Sequence, residues 1–122
     1  MRVITGSARG RKLLTPEGLD TRPTTDKVKE AIGSALQFDF CGAKVLDLFA
    51  GSGQMAVEAL SRGARAATLI DTTPKAIACI RQNIDHCGFS EIAAVLRTDA
   101  VAFLQRCREQ FDIAHLDPPY EN

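Results

Sequence analysis

Residues 44–56 read KVLDLFAGSGQMA, and the order of residue types in that run decides the fold. Lys44 to Ala50 is almost wholly apolar, the mark of a strand covered on both faces. Gly51-Ser52-Gly53 turns the chain, and the run through GQMAVEALSRG continues as a helix. Met55, Ala59 and Leu60 recur on one face of it, and Gly63 stops it. A doubly buried strand that passes through a glycine turn into a helix opens a parallel sheet wrapped by helices.

The same alternation continues downstream. AATLID (66–71) reads as a second strand, and TTPKAIACIRQNIDHCG (72–88) as a second helix. Thr72 or Thr73 can cap that helix, Pro74 suits its first turn, Ile77, Ile80 and Ile84 face inward, and Gly88 ends it. AAVLRTD (93–99) is a third strand, and Asp99 can cap a short helix with Phe103, Leu104 and Cys107 on one face. FDIAHLD (111–117) is a fourth strand. Upstream, RVITGSARGRKLLTP (2–16) reads as two short strands around a turn at Ser7–Gly10. A loop follows, then a helix capped by Thr24 or Thr25 with Val28, Ala31, Ile32, Ala35 and Leu36 on one face. The predicted fold class is α/β: a Rossmann-like parallel sheet with helices on both faces, preceded by a β-hairpin.

Composition limits the function classes. The chain has 122 residues, enough for one small domain with a core and too few for two. Hydrophobic residues make up 45%, charged residues 25%, and the formal net charge is zero, so no global field draws the chain to nucleic acid or membrane. Locally, Arg2, Arg9, Arg11 and Lys12 make a basic arm without an acid. Four cysteines, none at CxxC spacing, argue against a zinc site or a disulfide scaffold and for buried thiols in a reducing cytoplasm. No signal peptide opens the chain, no stretch reaches membrane-span length, and no metal is expected.

Gly51-Ser52-Gly53-Gln54-Met55-Ala56 fits G-x-G-x-x-G/A between a strand and a helix, where backbone N–H groups can meet a ligand. Asp71 follows at the end of the second strand, placed to accept both hydroxyls of a ribose. This much suits either NAD or S-adenosyl-L-methionine (SAM). Asp47, inside the first strand, favours SAM: a buried carboxylate needs a cationic partner, and SAM carries an amino group and a sulfonium where NAD carries a pyrophosphate. Asp99 serves as a helix cap, near an adenine amino group, or as both.

LDPPY (116–120) asks for a chemistry of its own. The exocyclic amine of a nucleobase is a poor nucleophile because its lone pair is delocalised. Two acceptors holding its hydrogens would free that pair. Asp117 can supply one and the carbonyl of Pro118 the other, fixed by Pro119, while Tyr120 stacks on an extruded base. The plain alternative is a proline-terminated strand.

Together these motifs resemble the RsmD family of bacterial methyltransferases, nearly end to end. RVITGSARGRKLLTP looks like the family's N-terminal hairpin, GLDTRPTTDKVKEAI like its next motif, VLDLFAGSG and EALSRGA like its SAM loop and helix, and LDPPY like its catalytic motif. The resemblance implies methylation of the exocyclic N2 of one guanine in 16S rRNA, in an assembled or assembling small ribosomal subunit. It implies that Asp47, Gly51, Ser52 and Gly53 line the methionine end of SAM, that Asp71 holds the ribose, and that Asp99 and Ala100 meet the adenine. Thr24 and Thr25 would lie near the cofactor, Asp117, Pro118, Pro119 and Tyr120 would be catalytic, and Arg2, Arg9, Arg11 and Lys12 would touch rRNA. Ala56 stands where glycine is expected, a change the fingerprint tolerates. IDTTPKA is less charged after Asp71 than is common in the family.

Family members continue past the catalytic motif for several strands and helices. The expectation is therefore a single truncated methyltransferase domain over 1–122, with a basic hairpin arm at 1–16 and a SAM-binding portion at 24–122. In the family's sheet order the fourth strand then becomes an exposed apolar edge, which invites self-association. Competing functions are DNA adenine-N6 methylation, which also uses Asp-Pro-Pro-Tyr, an NAD-dependent oxidoreductase, and a SAM-binding remnant without turnover.

Overall fold

A computed structural model of the chain describes residues 2–14 and 39–116. Seven elements follow one another: β1 (Lys44–Leu48), α1 (Gln54–Ser61), β2 (Ala66–Asp71), α2 (Pro74–His86), β3 (Ala93–Arg97), α3 (Ala100–Arg106) and β4 (Ile113–Leu116). The helix expected after Thr24 and Thr25 lies outside the described residues. The four strands form one parallel sheet in the order β3-β2-β1-β4, so β1 is central, as the family's order implies. Val45 and Leu48 of β1 and Leu69 and Ile70 of β2 are buried, which accounts for their unbroken apolar runs. One core packs Val45, Val57, Leu60, Leu69, Ile77, Ile80 and Ile84, and a smaller cluster on Leu46, Leu48, Ile70 and Ala100 takes in Phe49, Phe103 and Phe111.

The helix ends follow the sequence cues, with one exchange of roles. Gly63 N–H bonds Leu60 O and Ala64 N–H bonds Ala59 O, closing α1; Gly88 and Phe89 close α2 in the same way on Asp85 and Ile84. Thr73 stands at the cap position of α2, but its side chain makes no capping bond. The Thr73 N–H donates instead to Asp71 Oδ1 at 3.0 Å. α3 has the expected length but is wetter than its pattern suggests: Leu104, placed on one face with Phe103 and Cys107, is 53% exposed. The start of β4 is fixed to β1 through Asp112, whose Oδ2 accepts from Lys44 N–H (2.8 Å) and whose N–H donates to Lys44 O (2.8 Å). Of the cysteines expected to be buried, Cys79 and Cys87 are; Cys41 is exposed and Cys107 half-buried.

The N-terminal arm folds back on itself. Among the described residues Arg2 and Lys12 form an antiparallel bridge around a turned segment, with Val3 N–H donating to Arg11 O (3.0 Å) and Gly10 N–H to Val3 O (2.9 Å). The arm is also docked on α1. Glu58 of α1, 3% exposed, accepts from the N–H of Ile4 (2.8 Å) and from the N–H and Oγ1 of Thr5 (3.1 and 3.0 Å). Arg62 Nε donates to Thr5 Oγ1 at 2.6 Å and lies 3.4 Å from Glu58 Oε2. Ser61 Oγ accepts from Ala8 N–H (2.9 Å) and its carbonyl from Ser7 N–H (2.8 Å). Gly6 is obligatory here: its φ is +86°, and a Cβ would sit 1.8 Å from Ser61 O. With Val3, Ala8 and Leu13 also in the core, the arm covers α1 so well that all eight helix residues are buried.

A buried carboxylate that satisfies three donors of another segment cannot be lost cheaply. Glu58→Gln is expected to lower unfolding free energy by about 1–3 kcal/mol, because an amide offers one acceptor where two oxygens accepted before. Urea unfolding of the variant against the parent chain checks this; an unchanged midpoint would mean that the arm contributes nothing to stability.

Candidate functional site

The glycine turn sits at the carboxyl end of β1, where parallel sheets of this kind bind ligands. Gly53 N–H closes the turn on Ala50 O (2.8 Å), and Ala50 N–H reaches Ile70 O (2.9 Å), tying the loop to β2. Gly53 has φ +80°, and a Cβ there would press on Leu69 Cδ2 at 3.1 Å, so the loop fits close against the core. Phe49 adopts φ 62°, a left-handed backbone that non-glycine residues rarely take. Its ring packs against the smaller core cluster, which holds that conformation at the edge of the loop.

Three carboxylates stand at the carboxyl ends of successive strands. Asp71, the last residue of β2, accepts from Gly51 N–H through Oδ2 (3.0 Å) and from Thr73 N–H through Oδ1 (3.0 Å). One side chain therefore joins the glycine loop to the start of α2. Each oxygen retains acceptor capacity, since a carboxylate oxygen can take more than one donor. Asp47, 1% exposed, lies opposite Leu69 on β2 and His115 on β4. His115 Nδ1 is 3.2 Å from Asp47 Oδ1. Asp99 is exposed and caps α3, its Oδ2 accepting from Ala102 N–H at 3.0 Å, while Ala100 is buried beneath it.

The structure thus brings Gly51 and Asp71 into direct contact and sets Asp47 on the adjacent strand. Ser52 is half-buried, and its carbonyl accepts from Asn83 Nδ2 (2.8 Å). Arg2, Arg9, Arg11 and Lys12 are all exposed on the arm; Arg2 also donates to Gly10 O (2.9 Å) and Arg11 to His86 O (3.5 Å). Thr24, Thr25 and Asp117 to Tyr120 lie outside the described residues. Among the described residues, no group of three or more His, Cys, Asp or Glu could hold a metal ion, and no helix is long and apolar enough to cross a membrane.

His115, on a fourth strand from which it could approach the site, is set beside Asp47 by the β1–β4 register. Two further residues carried no signal in the sequence. Asn83 looked like a polar position on an amphipathic helix and is 1% exposed. Gln54, 5% exposed, has a buried Nε2 with no hydrogen-bond partner among the described residues.

This sheet order, with a glycine turn after the central strand and acids at the strand ends, defines the Rossmann-like methyltransferase fold. The solved structure of yhhF from Escherichia coli superposes with a TM-score of 0.82 at 39% identity, over 99% of this chain and 65% of that one. A SAM-dependent methyltransferase from Thiobacillus denitrificans, solved with S-adenosyl-L-homocysteine, shares the fold at 24% identity (TM-score 0.61, 80% of this chain and 38% of that one). The chain belongs to the RsmD family: the family model described as "Conserved hypothetical protein 95" matches residues 1–122. It is 44% identical to YlbH of Bacillus subtilis (strain 168), over 99% of this chain and 67% of that protein. It is 38% identical to ribosomal RNA small subunit methyltransferase D of Escherichia coli (strain K12), over 98% of this chain and 60% of that protein. The chain therefore spans roughly two thirds or less of the length of these relatives.

Asp71 holds two amides that belong to different elements, so its removal should be felt locally and globally. Asp71→Ala is expected to lower stability by about 1–2 kcal/mol and to speed amide exchange at Gly51. Hydrogen exchange read by mass spectrometry checks the second effect; a Gly51 amide as protected as in the parent chain would show that the loop does not depend on Asp71.

Proposed function

We propose that this chain carries the cofactor site and catalytic motif of a SAM-dependent methyltransferase acting on the exocyclic N2 of a guanine in 16S rRNA. The observation that carries the reading is the glycine turn held by Asp71 at Gly51 N–H, with Asp47 buried on the strand that leads into it. A buried acid at that position suits a cationic ligand and opposes a pyrophosphate. The names of the E. coli relative and others like it, ribosomal RNA small subunit methyltransferase D, support rRNA as the substrate.

In this reading residues 1–122 form one methyltransferase domain, the basic arm being 1–16 and the SAM-binding portion 24–122. Asp47, Gly51, Ser52 and Gly53 hold the methionine end of SAM, with Thr24 and Thr25 nearby. Asp71 takes the ribose hydroxyls on the acceptor capacity its two backbone bonds leave. Asp99 and Ala100 meet the adenine. When bound, SAM supplies a methyl group on a sulfonium. The chain's own task is to orient the base: Asp117 and the carbonyl of Pro118 accept the hydrogens of the amine, Pro119 fixes that carbonyl, and Tyr120 stacks on the ring. Arg2, Arg9, Arg11 and Lys12 take rRNA phosphates, which needs exposed cations, and all four are exposed. Such work belongs in the cytoplasm, with the small ribosomal subunit.

The test is transfer of tritium from labelled SAM to small ribosomal subunits that lack the modification, against duplex DNA. Label in the subunit RNA alone supports the reading, and label in DNA would favour adenine-N6 methylation. A thermal midpoint raised by S-adenosylhomocysteine without any transfer would point to binding without turnover.

We also propose that β4 pairs with a second copy of the chain. Leu116 on it is 63% exposed, and the strand is an outer one of the described sheet. Light scattering should show the apparent mass rising with concentration; a constant monomer mass would refute the pairing.

A further inference from the structure

The arm and the glycine loop meet on one side chain. Asn83, in the third turn of α2 and 1% exposed, accepts from Leu14 N–H through Oδ1 at 2.7 Å. Its Nδ2 donates to Leu14 O at 2.9 Å and to Ser52 O at 2.8 Å. An amide that accepts from the N–H and donates to the carbonyl of one residue copies the pairing of a neighbouring strand, so it fixes the orientation of Leu14 as well as its place. The remaining N–H goes to the middle of the glycine loop. A flipped amide would set NH2 against an N–H and oxygen against two carbonyls, so only one orientation satisfies all partners. Cys79, one turn earlier, reinforces the site: its Sγ donates to Leu14 O at 3.2 Å. Burial pushes that thiol above its ordinary value, against a smaller opposing effect of the Asn83 hydrogen bond, so it stays a neutral donor.

We infer that Asn83 is a positioning residue that joins the arm to the glycine loop, so that occupancy of one is felt at the other. The inference rests on the methyltransferase reading, in which the loop takes SAM and the arm takes rRNA. The loop is held at two successive residues, by Asp71 at Gly51 N–H and by Asn83 at Ser52 O. Asn83 is the hold that also reaches the arm, at Leu14. A planar amide bonded at both ends transmits a shift of either partner, and a coupling of binding free energies runs equally in both directions. The mechanism requires no movement of the sheet.

The variant that tests this is Asn83→Asp. It keeps an acceptor for Leu14 N–H, loses both donors, and sets a carboxylate against two carbonyl oxygens. Glu58→Gln is the control, because it releases the arm at Ile4 and Thr5 and leaves Leu14 and the loop held. With all chains folded, Asn83→Asp should weaken S-adenosylhomocysteine binding about tenfold in calorimetry and speed exchange across residues 50–54. Glu58→Gln should leave both within about twofold of the parent. In the parent chain S-adenosylhomocysteine should also slow exchange across residues 9–14, and in Asn83→Asp it should not. An effect of Glu58→Gln as large as that of Asn83→Asp, or an arm indifferent to ligand in the parent chain that binds it, overturns the inference. If the parent chain binds no S-adenosylhomocysteine, the cofactor reading falls separately. Exchange across 50–54 in Asn83→Asp then still decides whether Asn83 holds the loop, faster exchange supporting the inference and unchanged exchange overturning it.

Discussion

Everything in this molecule is organised around the burial of β1 between two parallel neighbours. Because β2 and β4 flank it and helices cover it, β1 has no wet face, and four of its five residues are buried. Its one acid, Asp47, is therefore carried into the core rather than left at the surface. A charge in that position is expensive unless something compensates it. His115 meets it from β4, and the carboxyl edge just above is where the chain bends into its glycine turn. The same burial explains why that turn is tight. The chain leaves the sheet and starts α1 within the five residues 49–53, and it does so through left-handed conformations at Phe49, Gly51 and Gly53.

α1 shows how a second layer changes the meaning of a motif. EALSRG looks like the continuation of a cofactor helix, and its Glu, Ser and Arg look like an outer polar face. Instead Glu58, Ser61 and Arg62 bond the backbone and hydroxyl groups of residues 4–8. The N–H groups of Ile4, Thr5 and Ala8 find their acceptors in these side chains. The polar letters of the helix are thus a docking surface turned inward, and the helix is amphipathic in composition while buried all round.

Much of this was legible from particular residues. The runs KVLDL, AATLID and AAVLR, the stops at Gly63 and Gly88, and the cap at Asp99 all give local signals strong enough to fix an element. The strand order came from resemblance, since nothing local distinguishes one neighbour of β1 from another. What failed did so where a tertiary contact outweighed a local preference. In the arm Val3 and Leu13 enter the core while Ile4 and Leu14 face outward, a choice between neighbouring apolar residues that docking on α1 makes. Thr73 stands at the cap of α2, yet its side chain makes no capping bond, and its own N–H donates to Asp71 Oδ1. Leu104 keeps helical spacing on a helix with little to pack against. Asn83 gave no signal, because its partners Leu14 and Ser52 lie on segments distant in sequence.

The docking of the arm also dictates an order of events during synthesis. Residues 2–14 are made before their anchors Glu58, Ser61 and Asn83, which lie between 53 and 69 residues later in the chain. Contacts so far apart in sequence incur their loop-closure entropy before they return anything. Docking of the arm on Glu58, Ser61 and Asn83 consequently follows the synthesis of α1 and α2. The final cover of α1 is therefore supplied by a segment made well before the helix itself.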